Sequence, residues 1–529
     1  MAYIDINGNE YNSLENIPEG AVFDELDLSY RNITKLPEKL ATLTIKNLLL
    51  HNCKNLDSLE GLPKGLENLD YDYTKITSFE GLPESLKEFR CWGTPIIPPK
   101  KLTENLKKYR SWDTPVNSLK KFPEKVEEFF SRNTHMALFQ KLPKGLKGFN
   151  CGGTNITLLE GLPEGLEILV CSYTHITSLK GLPESLKALI CDKTDITSLV
   201  GLPKGLKELR CGNTDITSLK NLPEGLKVLY CSDTHITSLE ELPEGLEKLD
   251  CHRTHITSLK GLPEGLKMLD CSNTNITSLK DLPKGLSELY CSITNITSLE
   301  GLPEGLEKLD CSHMHIDSLK GLPEGLRELN CAFSRITSLE GLPEGLEKLD
   351  CSECLKLTSL EELPKGLKEL NCRGMSITQP VKLPEGLEKL DCSYMHIDSL
   401  KGLPKGLREL DCSDTHITSL KELPEGLEKL DCHRTHITSL KGLPEGLKML
   451  DCSNTNITSL EGVPRNIEKI HCKNYDKIEF IPDYISDDVI ESLSQEKIAE
   501  CKANWKKEQE RKKTSEQQRA AIMKRFMGR

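Results

Sequence analysis

The chain has 529 residues and a formal net charge of −12, with 28% charged residues but only 5% aromatic ones. A globular enzyme of this length would ordinarily need more large aromatic side chains in its core, and an acidic body is a poor match for broad contact with a phosphate backbone. No run of 18 apolar residues occurs, so no membrane-crossing helix is expected.

Residues 1–25 show no regular pattern. The first ten carry neither a basic segment nor an apolar one, so no signal peptide is expected there. Tyr3, Ile4, Ile6, Tyr11 and Leu14 suit a small hairpin or helix that caps one end of a core.

From residue 26 to residue 472 a 20-residue unit recurs roughly 23 times, marked by Leu-Pro or a close variant. One copy reads Gly301-Leu-Pro-Glu-Gly-Leu-Glu-Lys-Leu-Asp-Cys-Ser-His-Met-His-Ile-Asp-Ser-Leu-Lys320. Leu309 and Cys311 alternate with polar residues at a period of two, which predicts a short strand in each unit and a parallel stack of them. The Pro and Gly of Leu-Pro-x-Gly-Leu disfavour a helix on the return path. An extended or polyproline-like connection with at most one 3₁₀ turn is expected there. Residues 241–279 recur identically as 422–460, so the array has grown by internal duplication.

Two columns run through the units. A Cys column (151, 171, 191 and onward to 472) faces inward with the Leu residues and acts as a small hydrophobe in a narrow core. The chain has 21 Cys, but Cys-x-x-Cys pairs do not recur at zinc-site spacing, so buried free thiols in a reducing compartment are expected. Cys351-Ser-Glu-Cys354 is an exception: in its 21-residue unit Cys354 takes the slot that Thr fills elsewhere, as Cys53 does in another such unit. The Thr column (Thr154, Thr174, Thr194 and onward) is expected to hydrogen-bond the backbone where the chain leaves the strand.

The outward strand positions are the candidate binding face. In the N-terminal third they hold Arg90, Trp92, Arg110, Trp112, Phe130 and Arg132, followed by Ile168, Val170, Tyr173, Ala188 and Ile190. Trp92 and Trp112 occupy equivalent slots of adjacent units and should lie side by side. Exposed aromatic and Arg clusters have the composition of protein-binding hot spots. The alternative is that loops marked by Pro95, Pro98, Pro99 and Pro115 cover them. From Asp250 onward the residue before each Cys is mostly Asp, either a ladder for a basic partner or a solvated acidic face. Lys248, Lys308, Lys348, Lys389 and Lys429, two residues earlier, are placed to offset it. His175, His235, His255, His315, His396, His416 and His436 form one more column, expected to be a polar loop edge. Five Asn-Ile-Thr triplets match a glycosylation pattern that carries no weight without a secretion signal.

After the repeats, Ile478, Phe480, Ile481 and Tyr484 are expected to cover the last unit. Ser486 has the character of a helix N-cap, predicting a helix from 487 to about 513, with a cap-and-helix segment over 473–513. Residues 514–529 form a basic tail expected to fray. From Lys502 onward ten Lys/Arg face three Glu, a solvated helix end or a weak contact for nucleic acid or an anionic membrane.

The frame Leu306-x-x-Leu309-x-Cys311-x-x-Met314-x-Ile316 resembles the leucine-rich repeat with Cys in the third apolar slot. The unit Gly-Leu-Pro-Glu-Gly-Leu-Glu-Lys-Leu-Asp-Cys-Ser is similar to the short 20-residue repeat of type III secreted bacterial effectors, and still more to Cys-rich repeat proteins of giant amoeba viruses. The resemblance implies a mostly-β, α/β-type leucine-rich-repeat horseshoe with a concave parallel sheet and a short C-terminal helix. Effectors of this type often add a Cys-dependent ubiquitin-ligase domain, for which the roughly 55 residues after the repeats are too few; Cys501 is given no nucleophile role. The expected function is a non-enzymatic, cytoplasmic protein-binding scaffold with no cofactor, metal or small-molecule substrate. The alternatives are a substrate-receptor subunit of a ubiquitin-ligase-type complex, with the C-terminal helix recruiting the machinery, and a virion structural protein.

Overall fold

A computed structural model of the chain describes residues 3–4, 9–11, 13–63, 65–78, 80–95, 103–112, 123–133, 142–377, 383–473, 477–491 and 493–527. The chain divides into two compact units, Met1–Asp270 and Cys271–Arg529.

The first unit opens with an antiparallel pair, β1 (Tyr3–Ile4) and β2 (Glu10–Tyr11), where a hairpin or a helix is equally expected. Ile6 lies outside the described residues. A short 3₁₀ turn, Leu14–Asn16, leads into β3 (Val22–Asp27), so the ladder begins inside the segment expected to be only a cap. Parallel pairing then runs strand by strand from β3 through β4 (Thr44–Leu49) and β5 (Asn68–Asp70) to β6 (Glu88–Arg90), β7 (Lys108–Trp112), β8 (Glu128–Arg132) and β9 (Gly148–Asn150). It continues through β10 (Ile168–Val170), β11 (Ala188–Ile190), β12 (Glu208–Arg210), β13 (Val228–Tyr230), β14 (Lys248–Asp250) and β15 (Met268–Asp270).

In the second unit the ladder runs from β16 (Glu288–Tyr290) through β17 (Lys308–Asp310), β18 (Glu328–Asn330), β19 (Lys348–Asp350) and β20 (Glu369–Asn371). It ends with β21 (Lys389–Asp391), β22 (Glu409–Asp411), β23 (Lys429–Asp431), β24 (Met449–Asp451) and β25 (Lys469–His471). All of these pairs are parallel. The architecture is a mostly-β repeat solenoid.

The physics of one unit explains the rest. Leu306, Leu309, Cys311, Met314, Ile316 and Leu319 are all at most 2% exposed. Burying each large apolar side chain is worth roughly 1.5–3 kcal/mol, but an isolated unit of this length cannot bury them, so stability lies in the stacking. The return path is a turn, not a helix: the Leu306 N–H donates to the Pro303 carbonyl at 3.1 Å, and Pro and Gly repeat this along the array. All 21 thiols are free and buried. The Thr column behaves as expected, for Thr154 Oγ1 donates to the Cys151 carbonyl at 2.7 Å and Thr254 Oγ1 to that of Cys251 at 2.7 Å. Cys53 and Cys354 replace this bond with one to the preceding unit, at 3.2 Å from the carbonyls of Leu28 and Cys331.

The C-terminal helix departs from expectation. Asp487–Val489 is only a 3₁₀ turn, and the α-helix, α1, spans Gln495–Met527. Ile490 is taken up as one last parallel bridge to Ile470, so the backbone there is extended. Helix becomes possible only after Ser494, whose Oγ accepts the Lys497 N–H at 3.2 Å. It then runs through the stretch expected to fray, because Glu, Lys, Gln, Arg and Ala are strong helix formers.

Candidate interaction faces

Adjacent strands hold their outward residues in register, so each slot becomes a column. In the first unit the column one residue past the Cys slot reads His51, Asp72, Trp92, Trp112 and Arg132. Trp92 and Trp112 meet edge to face, with ring centroids 5.4 Å apart and planes at 74°. The Arg132 guanidinium lies 4.7 Å over the Trp112 ring and 5.4 Å over Tyr173, two units away. It spans that gap because Gly152 and Gly153 stand between. A Cβ on Gly153 would fall 1.8 Å from Asn133 Oδ1, at a φ of +69°. Lys193 Nζ caps the far side of Tyr173 at 4.8 Å. The result is one continuous chain of π and cationic groups, Trp92–Trp112–Arg132–Tyr173–Lys193. The Trp112 indole N–H is buried there without an acceptor among the described residues.

The other expected site residues sit beside this chain. Arg110 lies between Glu88 at 3.6 Å and Glu128 at 3.1 Å, with its guanidinium 5.3 Å from the Phe130 ring. Arg90 is paired with Glu88 at 3.6 Å. Ile168 and Tyr173 are exposed, whereas Val170 and Ile190 are half-buried and paired in register. The aliphatic group is set apart from the aromatic one by β9, whose outward residues are Gly148 and Asn150. Of the loops expected to cover the patch, Pro98, Pro99 and Pro115 lie outside the described residues; Pro95 is exposed.

The core beneath explains why the aromatic face sits here. Phe89, Tyr109, Phe129 and Phe149 replace the usual Leu and pack at 5.0, 5.1 and 5.8 Å. In two of these units, those of Tyr109 and Phe129, Ser111 and Ser131 replace Cys, so extra volume in one slot is compensated by less in the next.

Of a further display column, two residues past the Cys slot, sequence reasoning named only Tyr173. Tyr30, Tyr73, Tyr173, Ile293, Phe333 and Tyr394 all adopt positive φ, between 56° and 62°. Each is at least 43% exposed. No single residue type marks the slot, which also holds Lys, Asn, Asp, Arg, His and Glu. Only the backbone reveals it.

In the second unit the outward face forms a groove of about 730 Å³ lined by β16–β25. The expectation that Lys would offset the Asp column is corrected here. Lys308, Lys348, Lys389 and Lys429 pair within their own column instead, with Glu on neighbouring strands: Lys308–Glu328 at 2.9 Å, Lys348–Glu369 at 3.4 Å, Lys389–Glu409 at 3.8 Å and Lys429–Glu409 at 3.0 Å. Equivalent slots on adjacent strands are closer than diagonal ones, so alternating Lys and Glu neutralise each other. Among the described residues the Asp column of this face forms no ion pair with Lys or Arg. Asp391, Asp411 and Asp451 each accept the backbone N–H two residues on, at 2.9 Å. Asn371 donates to Asp350 Oδ2 at 2.9 Å. Asp391 titrates above the usual carboxylate range, raised first by burial and also by Asp411 beside it.

The His column is exposed and laddered: His396 and His416 lie 5.6 Å apart, His416 and His436 5.7 Å. Three groups among the described residues place an imidazole and two carboxylates within 4.8 Å: His51/Asp70/Asp72, Asp250/His252/Asp270 and Asp431/His433/Asp451. In the latter two, which lie in the duplicated segments, the imidazole is already engaged. Nδ1 of His252 and of His433 is 2.7 Å from the carboxylates of Asp250 and Asp431. Burial pushes the column thiols up, Cys171 to about 12, so they lack the thiolate character of a nucleophile or ready metal ligand.

Fold and faces together define a leucine-rich-repeat-like solenoid, a fold typical of protein-binding scaffolds. No family model and no curated protein matches the chain. Solved structures do. YopM from Yersinia enterocolitica WA-314 is similar at 27% identity over 89% of this chain and 91% of that one, with a TM-score of 0.50. CroV588, described as a circular leucine-rich-repeat protein, is similar in fold at 20% identity over 88% of this chain and 76% of its own, with a TM-score of 0.58.

Proposed function

We propose that the chain is a non-enzymatic scaffold that captures a protein partner on the outward face of its parallel sheet, with Trp92, Trp112, Arg132 and Tyr173 as anchors. The supporting observation is the unbroken Trp–Trp–Arg–Tyr contact chain on a face where most other units carry small or charged groups. Rigid aromatic and Arg anchors supply large contact area at low entropic cost, and a bound acceptor would satisfy the Trp112 N–H. The free, buried thiols support a reducing, cytoplasmic setting. A second reading, a receptor subunit of a ubiquitin-ligase-type complex, draws on the long basic helix α1 as a recruiting element.

The test compares cross-linked partners of the wild type, the Trp92→Ala/Trp112→Ala double variant and a chain ending at residue 486. The scaffold reading expects the double variant to lose its partners while far-ultraviolet dichroism is retained. Unchanged partners in the double variant would refute the proposed face. Loss of only ligase components from the shortened chain would favour the second reading.

A further inference from the structure

The column that carries Trp92 and Trp112 holds, just before them, two residues the interaction face does not use. His51 and Asp72 occupy the same slot in adjacent units, and Asp70 lies two residues before Asp72 on the same face of the sheet. The donor atoms of the three lie within 4.8 Å of one another. Asp72 is only 4% exposed. Its Oδ1 accepts the Trp92 backbone N–H at 2.6 Å, and its other oxygen takes no hydrogen bond from any described residue. Asp70 Oδ1 accepts the Asp72 N–H at 3.1 Å.

Two carboxylates this close, one of them almost wholly out of water, need a positive charge between them. Among the described residues no Lys or Arg supplies it as an ion pair. Arg90, the nearest candidate by sequence, is engaged with Glu88 at 3.6 Å.

His51 differs from its counterparts in the duplicated segments. The rings of His252 and His433 are tied to a carboxylate at 2.7 Å. The His51 nitrogens make no hydrogen bond with any described residue, and the ring is steadied only by edge contacts to Tyr30 at 5.4 Å and Tyr73 at 5.6 Å. An unengaged imidazole lone pair facing two carboxylates is a donor set for a metal rather than a closed hydrogen-bond network.

We propose that His51, Asp70 and Asp72 bind a first-row divalent cation of the manganese or zinc class, one nitrogen and two carboxylate oxygens leaving further positions for water. The cation neutralises Asp72 and thereby fixes the backbone at Trp92, at the edge of the aromatic face. The two duplicated groups are not part of the site, because their imidazoles are satisfied by hydrogen bonds.

Mn²⁺ is the probe of choice, since it favours oxygen and imidazole donors over the many thiols. The full chain, stripped with a chelator, is titrated with Mn²⁺ and free ion is read by electron paramagnetic resonance. One equivalent is expected to bind, at least tenfold more weakly in Asp72→Asn and in His51→Gln and unaltered in the His252→Gln/His433→Gln double variant. Dichroism confirms that each variant is folded, and the better-exposed Asp70→Asn provides a second carboxylate test should Asp72→Asn misfold. Absence of a one-equivalent phase, or a phase insensitive to His51→Gln, or one lost only in the His252/His433 variant, would overturn the assignment.

Discussion

The sharpest stability test uses the glycine that precedes Leu-Pro in most units. Gly442 has φ +106°, and a Cβ there would lie 2.9 Å from Lys421 Cα and 3.0 Å from the Leu420 carbonyl oxygen, both backbone atoms of the preceding unit. An L-residue in left-handed backbone costs about 1–2 kcal/mol. Forcing two packed backbones apart adds roughly 1–3 kcal/mol. Gly442→Ala should therefore lose about 2–5 kcal/mol. Gly261, its counterpart in the duplicated segment, has Cβ space limited to 2.9 Å by Glu240 Cα and Leu239 O, so Gly261→Ala should match it. Gly61 shares the backbone conformation at φ +95°, but its nearest neighbour would be Leu36 Cβ at 3.9 Å. Gly61→Ala should show the conformational cost alone, about 1–2 kcal/mol. Gly386 is not left-handed and its closest contact would be 3.6 Å, so Gly386→Ala should be neutral or stabilising by up to about 1 kcal/mol. Amide hydrogen exchange resolves such local effects in a repeat array better than a single global midpoint. If Gly61→Ala and Gly442→Ala accelerate exchange in their own units equally, the close inter-unit contact is not what selects glycine.

Two smaller effects follow from the same geometry. Ile293 is β-branched, 52% exposed and held at φ 56°, so Ile293→Asn should stabilise by about 1 kcal/mol in urea denaturation, and a loss would contradict the strained-slot reading. Asp411→Asn should also stabilise, by about 1 kcal/mol at pH 7.5, because Asn can donate to the neighbouring Asp as Asn371 does to Asp350. The raised Asp391 carboxyl is a penalty on folding that is absent below the unfolded carboxylate range and sets in as pH rises through the folded value. The gain from Asp411→Asn should therefore shrink on acidification and vanish once both carboxyls are protonated; a gain that grows in acid would reverse the sign.

How much the residues foretold depends on which atoms carry the information. Leu309, Cys311 and Thr254 announce their places because side-chain chemistry alone decides them: apolar groups recur inward, and a hydroxyl is needed at the strand exit. The contact of Trp92 with Trp112 follows from register, which a strict repeat makes visible. The Arg132–Tyr173 contact does not, since it depends on Gly152 and Gly153 leaving a gap between units. Nor does the display column at Tyr173 and Phe333, where backbone conformation, not residue identity, is shared. The pairing of Lys308 with Glu328 rather than Asp310 turns on the distance between equivalent slots. Ser486-Asp-Asp has the character of a cap yet starts no α-helix, because Ile490 is taken up in the parallel bridge to Ile470.

Thiol labelling under native conditions asks whether each unit closes its Leu and Cys side chains against the next. All 21 cysteines are buried. With an aromatic disulfide reagent the folded chain should remain essentially unlabelled until urea unfolds it, when every thiol should react. Rapid modification of the column from Cys171 to Cys452 without denaturant would mean that the units do not stack in this way, and the faces built on that stacking would fall with it.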